Sequence, residues 1–191
     1  MRIEGPFTAG QQHCLARLRG LHRSELRSLF KGLKPPASTE LVGEYDAELL
    51  NQGGRITSFI TQLAFSLHGP WTGKAFAPTT NTEGIGYNCF RYGQKTVGKL
   101  PLRTQLGQSQ LDEGESLFIK YHDLNHGIIR WLVGELRQID DSVILGFGTF
   151  GPRFGKANRL CRQIPFVMVG PRKEYLVMSM RVRQADISHV A

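Results

Sequence analysis

Cysteine is scarce. Cys14, Cys89 and Cys161 are three thiols spread over 191 residues, an odd number with no C-x-x-C pair, which excludes a disulfide framework and a cysteine-built zinc site. Each reads as a small buried hydrophobe. No stretch reaches the roughly 18 uninterrupted apolar residues of a membrane-spanning helix. Met1 to Gly10 holds one arginine and no apolar run, so no secretory leader is expected. With no N-x-S/T acceptor either, the reading is a cytoplasmic protein. A G-x-S-x-G elbow, a Walker loop and an EF-hand are all missing. What is there suffices for one core: 40% apolar and 21% charged residues exclude global disorder. Gly 22, Pro 9, Phe 11 and Tyr 5 lean towards strands and turns rather than a helical bundle.

Basic residues exceed acidic ones by eight, and the excess sits at the two ends. Residues 1–42 carry a net +4, residues 43–150 a net −2 and residues 151–191 a net +6. Arg17, Arg19, Arg23, Arg27, Lys31 and Lys34 crowd the first segment; Arg153, Lys156, Arg159 and Arg162 crowd the last. A nucleic-acid binder would interleave such charges with stacking aromatics. Phe30 stands almost alone among the N-terminal ones, so no nucleic-acid partner is expected.

Leu15, Leu18, Leu26, Leu29, Phe30 and Leu33 recur at helical spacing in two short runs between Gln11 and Leu33. Ser24 reads as the cap of the second run, and Gly32 with Pro35-Pro36 ends it. Residues 1–40 are thus expected to form a basic helical segment and residues 41–191 the main domain. Gly43 to Leu50 reads as a first strand. Arg55 to Leu67 reads as an inserted amphipathic helix that caps one end of the domain. Further strands are expected at Trp71 to Phe76, Gly84 to Tyr92, Lys95 to Gln108, Ser116 to Asp123, Leu132 to Ile139 and Val143 to Phe150. Ile164 to Val169 and Glu174 to Val182 read as a hairpin about Gly170-Pro171. About nine consecutive short strands argue an antiparallel meander that closes on itself. Apolar side chains on both faces of Glu115–Tyr121 and Gly134–Ile139 suggest a barrel with a semi-polar interior.

Three stretches stand out: Gly69-Pro70-Trp71-Thr72-Gly73-Lys74-Ala75-Phe76, the hairpin from Ile128 to Gly148 with its Gly134-Glu135-Leu136-Arg137 strand, and Gly43-Glu44-Tyr45, where tyrosine replaces the tryptophan of an opening G-x-W. Together they resemble bacterial lipocalin-like (calycin-type) β-barrel proteins. The resemblance implies a mainly β protein, a single antiparallel lipocalin-like barrel whose central pocket takes an apolar or amphipathic molecule. It does not choose between carrying that molecule and transforming it.

Several constellations bear on chemistry. Gly146-Phe147-Gly148-Thr149-Phe150-Gly151 matches G-x-G-x-x-G, but no helix is expected to open there and no βαβ unit surrounds it, so it reads as glycine shaping a strand and no nucleotide cofactor is expected. His122 and His126 share an i, i+4 spacing but lack a third ligand, and no metal is expected. His122, Tyr121 and Glu135 are the candidates for proton transfer if the protein is an enzyme. Glu135 and Arg137 share one strand face. Trp71, Lys74, Tyr87, Arg103 and Arg137 are the candidates for ligand binding.

The leading reading is a binding protein for an apolar or amphipathic small molecule, with an anionic one left open. An isomerase or cyclase acting on a hydrophobic metabolite in the same pocket is the alternative, and a protein-interaction module that uses its basic ends is a third. The sequence leaves enzyme activity, the ligand and a homodimer open.

Overall fold

A computed structural model of the chain describes residues 2–3, 5–52, 69–150 and 161–175. Helix α1 (Ala9–Gly20) and helix α2 (Arg23–Lys31) come first. Eight strands follow: β1 (Gly43–Leu49), β2 (Trp71–Pro78), β3 (Glu83–Tyr92), β4 (Lys95–Gln108), β5 (Glu115–Lys120), β6 (Val133–Asp140), β7 (Val143–Phe150) and β8 (Cys161–Lys173). Each pairs antiparallel with its neighbours in sequence, and β1 also pairs with β8, so the sheet closes. This is the up-and-down barrel expected from the run of short strands, and closure leaves no unpaired sheet edge.

Two cores result. Inside the barrel, alternate residues of every strand meet: Tyr45 and Ala47, Trp71 and Phe76, Phe90, Leu102, Leu117 and Ile119, Leu136, Ile144, Phe166 and Met168. Outside it, Leu15, Leu18, Leu26 and Phe30 of the helices pack on Val143, Leu145, Phe147, Val167 and Val169 of β7 and β8. Each of these four helical side chains is essentially buried and contributes about 1.5–3 kcal/mol by leaving water. The outer core corrects one expectation. Apolar side chains appear on both faces of the later strands because helices cover the outside, and the interior is mostly apolar.

Polar clamps fix the helices in place. Arg19 grips Glu48 of β1 with two bonds, Nε to Oε1 at 2.7 Å and Nη2 to Oε2 at 2.9 Å, and Ile3 N donates to the same carboxylate at 2.7 Å. Arg137 does the same for α2, donating to the carbonyl of Phe30 at 2.9 Å and lying over its ring.

Three boundaries differ from expectation. Helix α2 is capped at His22 rather than Ser24, because the Glu25 carboxylate reaches back to the His22 amide at 2.7 Å. Strand β5 stops at Lys120, and the chain returns through a 3-10 turn, Gly127–Trp131. Gly170-Pro171 is no hairpin turn: it lies within β8, joined by a cis peptide bond. The inserted helix expected over Arg55–Leu67, the basic residues Arg153, Lys156 and Arg159, and most of the expected last strand lie outside the described residues. Among the described residues, no helix is long and apolar enough to cross a membrane.

Candidate functional site

The connection entering β2 and the register of β2 against β3 place the first two site residues. Trp71 pairs with Phe90 and Gly73 with Cys89, so β2 spends one more residue than β3 between these pairs. This β-bulge lets Trp71 and Lys74, three residues apart, both face inward. A second irregularity lies between β3 and β4, where Gly86 pairs with Leu102 but Asn88 with Lys99. β4 thus has one residue more than β3 between these pairs, and the two it places there include Leu100, held at φ 55°, a left-handed conformation that costs a non-glycine residue about 1 kcal/mol. Its carbonyl accepts a bond from Asn88 Nδ2 at 3.2 Å. The bulge thereby orients the Asn88 amide towards Lys74.

Lys74, Asn88 and Tyr121 form a closed polar triad in this otherwise apolar interior. Lys74 Nζ donates to Asn88 Oδ1 at 2.5 Å and to Tyr121 Oη at 2.7 Å. Asn88 Nδ2 donates to Tyr121 Oη at 2.9 Å. Rings surround the amine, with the centroids of Trp71, Tyr121 and Phe166 at 5.2, 5.4 and 5.8 Å from Nζ. Lys74 is 4% exposed, and no ion pair among the described residues joins it. Burial penalises the charged form and brings its pKa down from 10.5 to about 7. The same burial pushes the Tyr121 hydroxyl upward, so it keeps its proton at neutral pH.

Next to the triad is a cavity of about 30 Å³, lined by Leu49, Trp71, Lys74, Tyr121, Leu132 and Phe166 among others. One wall is bare backbone, because Gly134 of β6 and Gly148 of β7 pair directly and both line it. Gly146, two residues earlier, serves a different need: a Cβ there would stand 2.2 Å from the Phe166 ring. Gly146 and Gly148 of the G-x-G-x-x-G run thus shape the barrel wall.

Other sequence-derived candidates lie elsewhere. Tyr87 projects from the outer face of β3, donating to Glu44 Oε1 at 3.0 Å and packing at a tilt against the Tyr175 ring, 5.3 Å between centroids. Arg103 is exposed. Glu135 and Arg137 share the outer face of β6, as the spacing suggested, but do not pair with each other. Glu135 accepts from Ser109 Oγ at 2.6 Å and from the Gln110 amide at 3.1 Å, while Arg137 holds Asp112 with bonds of 2.6 and 2.8 Å. His122 is half exposed beside the β5-to-β6 turn, 3.0 Å from Asp123 Oδ1 and 2.9 Å from Arg130. Asn125 pins that turn through bonds to the carbonyls of Pro101 and Tyr121. Of the eight candidates, only Trp71, Lys74 and Tyr121 line the cavity.

Asn88 escaped sequence reasoning. The strand Gly84–Tyr92 offers no sign of which face is inward, since Tyr87, Asn88, Cys89 and Phe90 are all buried. Cys89 sits on the outer side with Ala75 and Tyr87, where burial raises its thiol to about 12. Among the described residues, no cluster of His, Cys, Asp and Glu is arranged to hold a metal ion.

No family model matches the chain, and no curated protein matches it. A solved structure of a protein from Thermomonospora curvata is similar, with a TM-score of 0.57 over 85% of this chain and 97% of that one. At 15% identity the likeness extends to the fold.

Proposed function

We propose that the protein binds a small amphipathic molecule whose oxygen-bearing head, a carboxylate or a carbonyl, meets Lys74 in the barrel cavity. The observation that carries this is a lysine buried among three aromatic rings with only neutral hydrogen-bond partners, Asn88 and Tyr121. A lysine kept in a core for structure alone is expected to have a carboxylate beside it, because an unpaired buried charge is costly. An incoming anion would supply that partner and draw a proton back onto Nζ. An incoming carbonyl would accept a hydrogen bond from Nζ.

Size restricts the ligand. A cavity holds a water molecule once it offers about 10–15 Å³, so this one, at about 30 Å³, admits a small head group rather than a whole lipid. Leu49, Leu132, Ile164 and Phe166 offer an apolar surface to the carbon next to that head. An isomerase or cyclase in this cavity would have Tyr121 and Lys74 for proton transfer, since Glu135 is on the outer face and His122 is held by Asp123 and Arg130.

Tryptophan fluorescence tests the proposal. The chain has two tryptophans, so Trp131→Phe leaves Trp71 as the reporter. Butyrate and butanol are expected to quench it saturably, and Lys74→Met is expected to weaken butyrate about tenfold or more, the loss of one charge-assisted hydrogen bond. Absence of quenching by either compound, or equal binding by Lys74→Met, would overturn the proposal.

A further inference from the structure

We propose that Lys74 Nζ captures a small aldehyde or ketone covalently, as an imine, at the wall of this cavity. The inference rests on the ligand-binding reading above and goes further in naming the ligand class and the bond.

Three features of the site point to it. First, the amine is accessible from the cavity while closed off from bulk water, for Lys74 lines the cavity and is 4% exposed. Second, its contacts are two neutral oxygens and three ring faces. No carboxylate among these contacts holds a proton on Nζ, and the uncharged amine is the form that acts as a nucleophile. Third, a hydroxyl that retains its proton lies 2.7 Å from Nζ. Tyr121 Oη is also bonded to Asn88, at 2.9 Å from Nδ2 and 3.2 Å from Oδ1, so it is held in place. It is a fixed proton carrier beside the attacking atom.

The chemistry balances without a co-reactant. The Nζ lone pair forms a bond to the carbonyl carbon, and the C=O π pair moves to oxygen. A proton passes from the new ammonium nitrogen to that oxygen through the Tyr121 hydroxyl, giving a neutral carbinolamine. The nitrogen lone pair then forms the C=N bond as the C–O bond breaks, and the hydroxyl takes the remaining nitrogen proton and leaves as water. One amine and one carbonyl give one imine and one water, and nothing is oxidised or reduced. The apolar wall of Leu49, Leu132, Ile164 and Phe166 selects a carbonyl compound with a hydrocarbon body over a hydrated sugar-like one.

Selectivity over surface lysines follows from the protonation states. At pH 7 a lysine with pKa near 7 is about half neutral, whereas one at the ordinary value near 10.4 is neutral to roughly one part in 2,500. Reductive trapping measures this directly. The Trp131→Phe chain is mixed at pH 7 with one equivalent of butanal and sodium cyanoborohydride, which reduces the imine to a secondary amine, and the product is mapped by peptide mass spectrometry. The expected result is one butyl group on Lys74, formed at least about tenfold faster than on any other lysine, given that neutral fraction. Tyr121→Phe is expected to slow trapping by about tenfold, as loss of a positioned proton carrier does. Labelling spread over surface lysines, or a trapping rate unchanged in Tyr121→Phe, would overturn the proposal. If butanal and butanol both quench Trp71 but no adduct is trapped on Lys74, the imine is refuted and the binding reading stands. If neither quenches, both fall.

Discussion

Trp71 and Lys74 stand three residues apart on β2, yet both face the barrel interior, and Lys74 Nζ lies 5.2 Å from the centre of the Trp71 ring. In an unbroken strand such residues point to opposite faces. The bulge between Trp71 and Gly73 reconciles them, with Thr72 Oγ1 donating to the Cys89 carbonyl at 3.2 Å. The G-x-W-x-G-K run is therefore a device that brings an indole and an amine to one cavity.

Deleting Thr72 should keep the pair together. Without the extra residue Trp71 and Lys74 stand two apart, and an alternating strand turns residues two apart to the same face. In the Trp131→Phe background the emission of Trp71 and its quenching by iodide are expected to match the parent. A red shift with more quenching by iodide would mean that the bulge itself, and not the alternation it shifts, holds the indole inside.

Lys74 should leave a signature in stability against pH. Its folded pKa, about 7, lies below the 10.5 of an ordinary lysine. Between those values the unfolded chain binds more protons than the folded one, so stability rises with pH, by up to about 1.4 kcal/mol per unit. Above the unfolded value the full contribution is present, and it is lost as pH falls towards the folded one. Buried Cys89 and Tyr121 act oppositely once their unfolded groups ionise, since their folded values are raised. The clean window is therefore pH 7 to 8.5. Urea unfolding across it should give a rising midpoint for the native chain and a flatter one for Lys74→Met.

The legible parts of this molecule were those governed by local rules. Strand after strand announces itself by turn residues, and the helical spacing of Leu15, Leu18, Leu26 and Phe30 survives in α1 and α2. Facing was harder to read. Glu135 and Arg137 do share a face, as alternation requires, but the connection at Ser109 and Gln110 covers the first and α2 the second, so both are buried on the outside of the barrel. Burial alone does not tell inside from outside where both faces are dry. The triad was only partly visible for a second reason. Bulges at Thr72 and near Leu100 shift the alternation, and Asn88 becomes a partner of Lys74 only through the pairing of β2 with β3.

Arg137 should prove a matter of stability rather than of affinity. Its guanidinium is 1% exposed and bonded to Asp112, Ser116 and the carbonyls of Phe30 and Glu115. Arg137→Met removes the link between α2 and β6 and leaves several acceptors without a donor. A loss of about 3 kcal/mol is expected, with butyrate affinity of the folded fraction unchanged. Denaturant unfolding and Trp71 quenching, measured on the same sample, separate the two effects. A tenfold loss of affinity at full stability would place Arg137 in the ligand site instead.

Two glycines on β7 should respond to the same substitution with opposite signs. A Cβ on Gly148 would meet Ile164 at 3.8 Å and Leu132 at 4.0 Å, ordinary contacts, and would occupy part of the cavity. Filling the whole cavity of about 30 Å³ would be worth about 0.7 kcal/mol at ~24 cal/mol per Å³ and one methyl group gains less, while exchanging glycine for alanine adds about 0.4–1 kcal/mol by restricting the unfolded chain. Gly148→Ala should therefore stabilise the protein by about 1 kcal/mol while weakening butyrate. At Gly146 the added Cβ would lie within 2.6 Å of three atoms of the Phe166 ring, which itself packs edge-on against Trp71 at 6.1 Å. Gly146→Ala must push that ring aside, at a cost of about 1–3 kcal/mol, and the displaced ring should alter Trp71 emission. Thermal unfolding of the two variants beside the parent gives the comparison. If both destabilise, the space beside Gly148 is no true cavity, and the ligand reading loses its wall.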